Sequence, residues 1–201
     1  TMIHAWRGVG KTHIALGIAY AVASGGSFLR WSTERPHKVV YLDGEMPAVA
    51  LQERLARIVK TADKEPPEGF FRLATPDKQD GAMPDLATVE GQAVIDASIE
   101  EDTALIIVDN LSALVRRGGK ENEAESWLTV AEWALKHRAQ GRSVLFIHHS
   151  GKSGQQRGTS KREDLLDTVI VLKHPEPYSP ADGAVFEVYF EKARGIYGKD
   201  T

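Results

Sequence analysis

The segment Arg7-Gly-Val-Gly-Lys-Thr12 constrains this chain more than any other, because it dictates what must come before it and after it. Two glycines spaced two apart let the backbone turn tightly and bring its N–H groups up to an anion with no Cβ in between. The lysine and hydroxyl residue that follow supply an ammonium for phosphate oxygens and a ligand for a divalent cation. Such a loop works where a strand delivers the chain and a helix carries it away, since the helix N-terminus adds partial positive charge of its own. Both flanks are present: Met2-Ile-His-Ala5 suits a short strand, and residues 14–23 form an apolar helical run that Gly25 and Gly26 stop. The loop implies a nucleoside triphosphate with Mg2+, held by Arg7, Gly8, Val9, Gly10, Lys11 and Thr12, with the Thr12 hydroxyl on the metal. The full GxxxxGK(S/T) pattern places a glycine where this chain has Ala5.

Downstream, the pattern alternates between strand and helix. Residues 38–42 read as a buried strand, and 47–60 as a helix with Leu51, Leu55, Ile58 and Val59 on one face. After the Pro66-Pro67 break, 70–73 suit a third strand, 75–85 a loop and 86–99 a helix. Ala104-Leu-Ile-Ile-Val108 is a continuous apolar run, as in a strand covered on both faces. A helix over 121–140 stopped by Gly141, a strand over 143–147, and late strands over 168–172 and 185–190 complete the series. This order predicts an α/β fold: a mainly parallel twisted sheet flanked by helices, with the late strands as an antiparallel edge.

At 201 residues and 42% hydrophobic content, the chain is long enough for one domain with a sizeable core, taken as 1–201. A start at Thr1, so close to the phosphate loop, reads as a domain excised from something longer. The absence of cysteine excludes disulfides, thiolate zinc sites and a cysteine nucleophile. No apolar run approaches the roughly 20 residues of a membrane helix, and no leader pattern opens the chain, so a cytoplasmic setting is expected. A net charge of −3 gives no global pull toward nucleic acid, which leaves any such binding to local patches.

Two carboxylate positions suit phosphoryl chemistry. Asp109 follows the apolar strand at its carboxyl end, where open α/β sheets bind ligands, and can hold Mg2+ through water. The alternative is an aspartate that caps the next turn. In Tyr41-Leu-Asp-Gly-Glu-Met-Pro47, Glu45 lies just past the second strand and can polarise the attacking water, with Asp43 as the competing base. Farther on, Ser150 to Arg162 carries Lys152, Arg157, Lys161 and Arg162 without an acidic residue. A cationic loop of that kind suits the backbone of single-stranded DNA, or is merely a solvated loop. Arg116 and Lys120 form a second basic spot.

The set RGVGKT, YLDGEMP with Leu51-Gln-Glu-Arg-Leu55 behind it, LIIVDNLS and FIHHSGK resembles the RecA-fold hexameric helicases. It is most similar to the plasmid RepA-like group and its phage and mobile-element relatives, which are akin to the bacterial DnaB group. The resemblance spans Arg7 to Gly195 and implies a RecA-like P-loop NTPase that hydrolyses Mg-ATP as it moves along single-stranded DNA in a ring. It also implies Glu45 as catalytic base, Lys11 on the terminal phosphates, Asp109 as the magnesium residue and His149 as a γ-phosphate sensor. Neutral structural histidines at 148 and 149 are the alternative. In Phe190-Glu-Lys-Ala-Arg-Gly195, Lys192 and Arg194 would reach a neighbouring subunit's site, Arg194 as an arginine finger. A hexamer is the implied assembly. A RecA- or KaiC-like ATPase without unwinding activity, whether filament-forming recombinase or regulator, is the other reading of the same motifs.

Overall fold

The structure, a computed structural model, describes residues 1–116, 123–150 and 165–196. Its element order is β1 (Met2–Ala5), α1 (Lys11–Ser24), β2 (Ser27–Phe28), β3 (Trp31–Ser32), β4 (Lys38–Asp43), α2 (Ala48–Val59) and β5 (Phe71–Ala74). Then come α3 (Val89–Ala97), β6 (Thr103–Asp109), α4 (Leu111–Leu114), α5 (Glu123–Ala139), β7 (Ser143–His149), β8 (Thr168–Lys173) and β9 (Glu187–Ala193). Seven strands make one sheet in the order β5-β4-β6-β7-β1-β8-β9, and β2 and β3 form a separate two-stranded hairpin. The first six strands of the large sheet are parallel, and β9 alone runs antiparallel, against β8.

Alternation along the strands divides the core in two. Ile3, Val39, Tyr41, Leu105, Ile107 and Ile147 face a layer formed by α1, with Ile14, Leu16 and Ala19 packed against them. Met2, Val40, Ile106, Val108 and Phe146 face the opposite layer, where Leu114, Trp127 and Val130 lie. Covering on both sides is why β6 is apolar almost without a break. Helix α1 is rich in alanine because it lies close to the sheet, and at Gly17 a Cβ would meet the Phe28 ring at 2.2 Å. It ends at Gly25, whose φ of 66° and N–H bond to the Ala21 carbonyl close its last turn.

Several boundaries differ from the sequence expectation for local reasons. The helix expected from 86 starts at Val89, because the Thr88 side chain accepts from the Gly91 N–H and caps it there, while the Leu86 N–H bonds to the Leu114 carbonyl. Of the two late strands, β8 lies parallel beside β1, so only β9 forms the antiparallel edge. The strands that carry candidate site residues, β1, β4, β6 and β7, all end at one edge of the sheet.

Candidate functional site

At that carboxyl edge, the turn from β1 into α1 holds Gly8 at φ 85° and Gly10 at φ 119°, backbone conformations that side-chain-bearing residues rarely adopt. Val9 is buried in the core beneath them and fixes the turn from below. Lys11 is 6% exposed, and its Nζ donates to the Ala5 and Trp6 carbonyls, both at 3.0 Å. Burial pulls its pKa from 10.5 down to about 8, while the Asp109 and Glu45 charges oppose the fall.

Asp109 ends β6 and is 5% exposed. Its Oδ2 accepts from the Tyr41 hydroxyl at 2.6 Å. Burial raises its carboxyl pKa above the usual range even so. Asp43, at the end of β4, has a different employment: its Oδ1 accepts from the Glu45 N–H at 2.8 Å and the Met46 N–H at 2.6 Å. Asp43 thereby shapes the turn that presents Glu45, and burial raises its own pKa to about 6. Glu45 is exposed, and no hydrogen-bond partner holds its carboxylate among the described residues. His149, the last residue of β7, faces the Asn110 amide with Nδ2 to Nε2 at 3.1 Å. With the amide as donor, Nε2 accepts and the ring proton sits on Nδ1, which has no partner among the described residues. Burial, then the Lys11 charge, lower the pKa of His149, so its ring is neutral at pH 7.

These groups line one cleft of about 490 Å3, with Gly8, Gly10, Lys11, Thr12, Glu45, Asp109 and His149 on its walls. The volume lies within the range of small-molecule sites. Thr12 and Asp109 both line this cleft, so the two oxygens expected to serve Mg2+ would hold the ion there, with water and phosphate supplying its further ligands. The donor set therefore fits a magnesium–triphosphate.

A family model of AAA domains, AAA_25, matches residues 1–155. The chain belongs to this AAA domain family. No curated protein matches the chain. Among solved structures, the fold is similar to the KaiC-like protein PH0186 of the hyperthermophilic archaeon Pyrococcus horikoshii OT3, with a TM-score of 0.65 at 16% identity over 96% of this chain and 78% of that one. At that identity the likeness speaks for the fold, which is the RecA-like fold expected. The AAA domain is thus a P-loop ATPase of RecA/KaiC-like architecture.

Within this AAA domain, two expected site residues stand apart from the cleft wall. Arg7 is exposed on the phosphate loop without lining the cleft, though its charge is felt by Lys11 and His149. Val9 turns its side chain into the core, so only its backbone is available to a ligand. Lys192 pairs with Val169 near the end of β9, and Arg194 lies in the turn beyond that strand rather than on its face. Lys152, Arg157, Lys161 and Arg162 lie outside the described residues, as does Lys120. Sequence reasoning missed Arg54 and Arg57, which line the cleft together with His13. Their spacing of three puts both on one helix face, which was the available signal. It also missed the connection between β8 and β9, whose Tyr178, Pro180, Gly183 and Ala184 form the far rim.

Proposed function

We propose that this domain is an ATP-driven motor that assembles into a ring of like subunits, six in number, translocates on single-stranded DNA and unwinds the duplex ahead of it. The observation that carries this reading is the position of Arg194. Because β9 is antiparallel to β8, Glu187 lies beside Lys173 at the cleft edge and Ala193 beside Thr168 at the other. A strand of six residues separates Arg194 from its own cleft, roughly 20 Å at 3.3 Å per residue. Its side chain is 63% exposed, with Nη1 3.9 Å from Asp167. An arginine there serves phosphoryl transfer only in a cleft that another subunit brings to it.

In its own cleft, Lys11 exchanges two carbonyl acceptors for phosphate oxygens, and the loop amides take the rest of the charge. Thr12 and Asp109 would hold magnesium, which would supply positive charge against that developing during transfer. Glu45 orients the attacking water, since the Asp43 carboxylate is already engaged by two backbone amides. Asn110 holds the His149 tautomer, which leaves an Nδ1–H donor for the γ-phosphate. A hydrogen-bonded chain supports the coupling: Ser150, next to His149, meets His4 Nδ1 at 2.8 Å, and His4 Nε2 meets Glu191 Oε2 at 2.7 Å. Glu191 is the extra residue of a bulge in β9, since Val169 pairs with Lys192 and Ile170 with Phe190. Bulges re-aim side chains, and here one joins the sensor strand to the strand leading to Arg194.

Mixing tests the shared site. Arg194→Ala subunits and Lys11→Ala subunits should each be inactive alone and regain turnover together, because an intact cleft then meets an intact finger. No rescue at any ratio would refute a finger that acts between subunits. The fold likeness to a KaiC-like protein favours a second reading, a recombinase or regulatory ATPase without unwinding activity. Negative-stain imaging with single-stranded DNA and a nonhydrolysable ATP analogue separates a closed ring from a filament.

A further inference from the structure

The far rim of the cleft belongs to the 174–186 connection, and its construction is more ordered than a simple link between strands requires. The His174 and Tyr178 rings lie stacked, with centroids 3.5 Å apart and planes 12° from parallel. His174 Nδ1 donates to the Val185 carbonyl at 3.0 Å, and the Tyr178 hydroxyl donates to the Gly183 carbonyl at 3.1 Å. Between them, Ser179 and Asp182 cap each other's backbone around a short 3-10 turn at Pro180–Asp182. Phe186 then anchors the connection to the phosphate loop, for a Cβ on Gly10 would meet its ring at 2.8 Å. The rim is therefore tied at both ends and fixed in height above the loop.

Strand order tells which end of a nucleotide meets it. The phosphate loop leaves β1, and the candidate metal and water residues Asp109 and Glu45 follow β6 and β4 on one flank of that strand. The connection from β8 to β9 lies on the opposite flank. A triphosphate whose terminal phosphate points toward Glu45 must direct its sugar and base the other way, toward Tyr178.

The geometry points to Tyr178 as the nucleobase platform of this site, one that grips the base by its face and does not read its edge. This rests on the nucleotide reading of the cleft proposed above. The four rim residues lining the cleft are Tyr178, Pro180, Gly183 and Ala184. Only Tyr178 among them has a polar side chain, and its hydroxyl is committed to Gly183. The Gly183 N–H is likewise taken by the Pro180 carbonyl. Sites that discriminate strongly between isosteric ligands do so with hydrogen bonds to the distinguishing group, and this rim offers no side chain for that purpose. Every base has a π-face, so stacking is tolerant of base identity. The substrate class is purine nucleoside triphosphates with little preference between adenine and guanine, the smaller pyrimidines being held less well.

Titration calorimetry with Mg2+ and the nonhydrolysable analogues of ATP and GTP tests this, with inorganic tripolyphosphate as the ligand that has phosphates and no base. Wild type should bind both analogues within about fivefold of each other. Tyr178→Ala should weaken both together by roughly 5- to 150-fold, the measured span for an aromatic stacked on a base, and leave tripolyphosphate unchanged. Tyr178→Phe, which keeps the ring and loses only the bond to Gly183, should bind nearly as wild type. Unchanged tripolyphosphate binding also shows that the alanine variant is folded. Undiminished analogue binding by Tyr178→Ala would overturn the platform, and a hundredfold preference of wild type for one purine would overturn the face-only grip. If wild type bound neither analogues nor tripolyphosphate, the nucleotide reading itself would fall, and the platform with it.

Discussion

Raising the pH through the titration of Lys11 should weaken nucleotide binding, by an amount the structure fixes in advance. Lys11 is 6% exposed, and burial brings its pKa down to about 8 from 10.5. Only the ammonium form neutralises phosphate, so binding above that pKa must take up a proton. The protonated fraction falls from about nine-tenths at pH 7 to about one-tenth at pH 9, which predicts roughly tenfold weaker binding, or about 1.4 kcal/mol. Other cleft groups do not imitate the effect. His13 and His149 are shifted down and are already neutral at pH 7, Asp43 titrates near 6, and burial holds the Tyr41 hydroxyl well above 10. The sign for folding is opposite. A base whose folded pKa is depressed disfavours the fold below about pH 8, and the fold gains stability from this group as pH rises from there toward 10.5. Calorimetry at pH 7, 8 and 9, in buffers of different ionisation enthalpy, reads both the affinity and the proton count. Affinity that stays flat to pH 9 with no proton uptake would refute the argument that burial, rather than the nearby carboxylates, controls Lys11.

The two acidic residues after β4 should separate under substitution. Glu45→Gln should retain Mg-ATP binding and lose hydrolysis by at least 100-fold, as expected for removal of a positioned base, whereas turnover at the wild-type rate would shift the role to another group. Asp43→Asn keeps an oxygen for the Glu45 and Met46 amides and removes a buried charge with pKa about 6, so it should stabilise the fold above pH 6 by on the order of 1 to 3 kcal/mol. Thermal melts at pH 5 and 8 check this, since the gain should vanish as pH falls below about 4, where Asp43 is protonated in both states. Lys161→Ala with Arg162→Ala should weaken single-stranded DNA binding and flatten its salt dependence, because fewer counterions are released. Unchanged affinity in a salt titration would take that loop out of the DNA path.

What the sequence disclosed depended on how local each signal was. The phosphate loop, β4, β6 and β7 were legible because a glycine pair or an apolar run of four or more residues needs no partner to be read. Thr12, by its motif, and Asp109, by its place after an apolar strand, stood out for the same reason as candidates to hold magnesium. Between Asp43 and Glu45 the sequence favoured Glu45 with Asp43 as competitor, and the structure adds that the Asp43 carboxylate accepts from the Glu45 and Met46 amides. The β2–β3 hairpin stayed hidden because each strand is two residues long and gains its place by packing Phe28 over Gly17. Tyr178 was invisible for a similar reason. Its position over the cleft comes from Phe186 against Gly10, a contact between residues far apart in sequence.

The ionisable groups of the cleft also explain why binding and folding pull against each other there. Burial by the protein alone moves Lys11 and His149 down and Asp43 and Asp109 up, so cations and carboxylates alike are pushed toward neutrality. Pairing them with each other would relieve the strain, yet Lys11 is held by carbonyls, Asp43 by backbone amides and Asp109 by the Tyr41 hydroxyl. Each group thus keeps a charge that a neutral hydrogen bond only partly satisfies. On the proposed reading, a magnesium–triphosphate would bring anionic oxygens to the lysine and a divalent cation to the aspartate, the two compensations that the protein withholds. Replacing Asp43 or Lys11 by a neutral residue should therefore favour the fold at neutral pH, and only the lysine substitution should abolish binding. That asymmetry is what a preorganised phosphate site requires and what a core stabilised by its own ion pairs would not display.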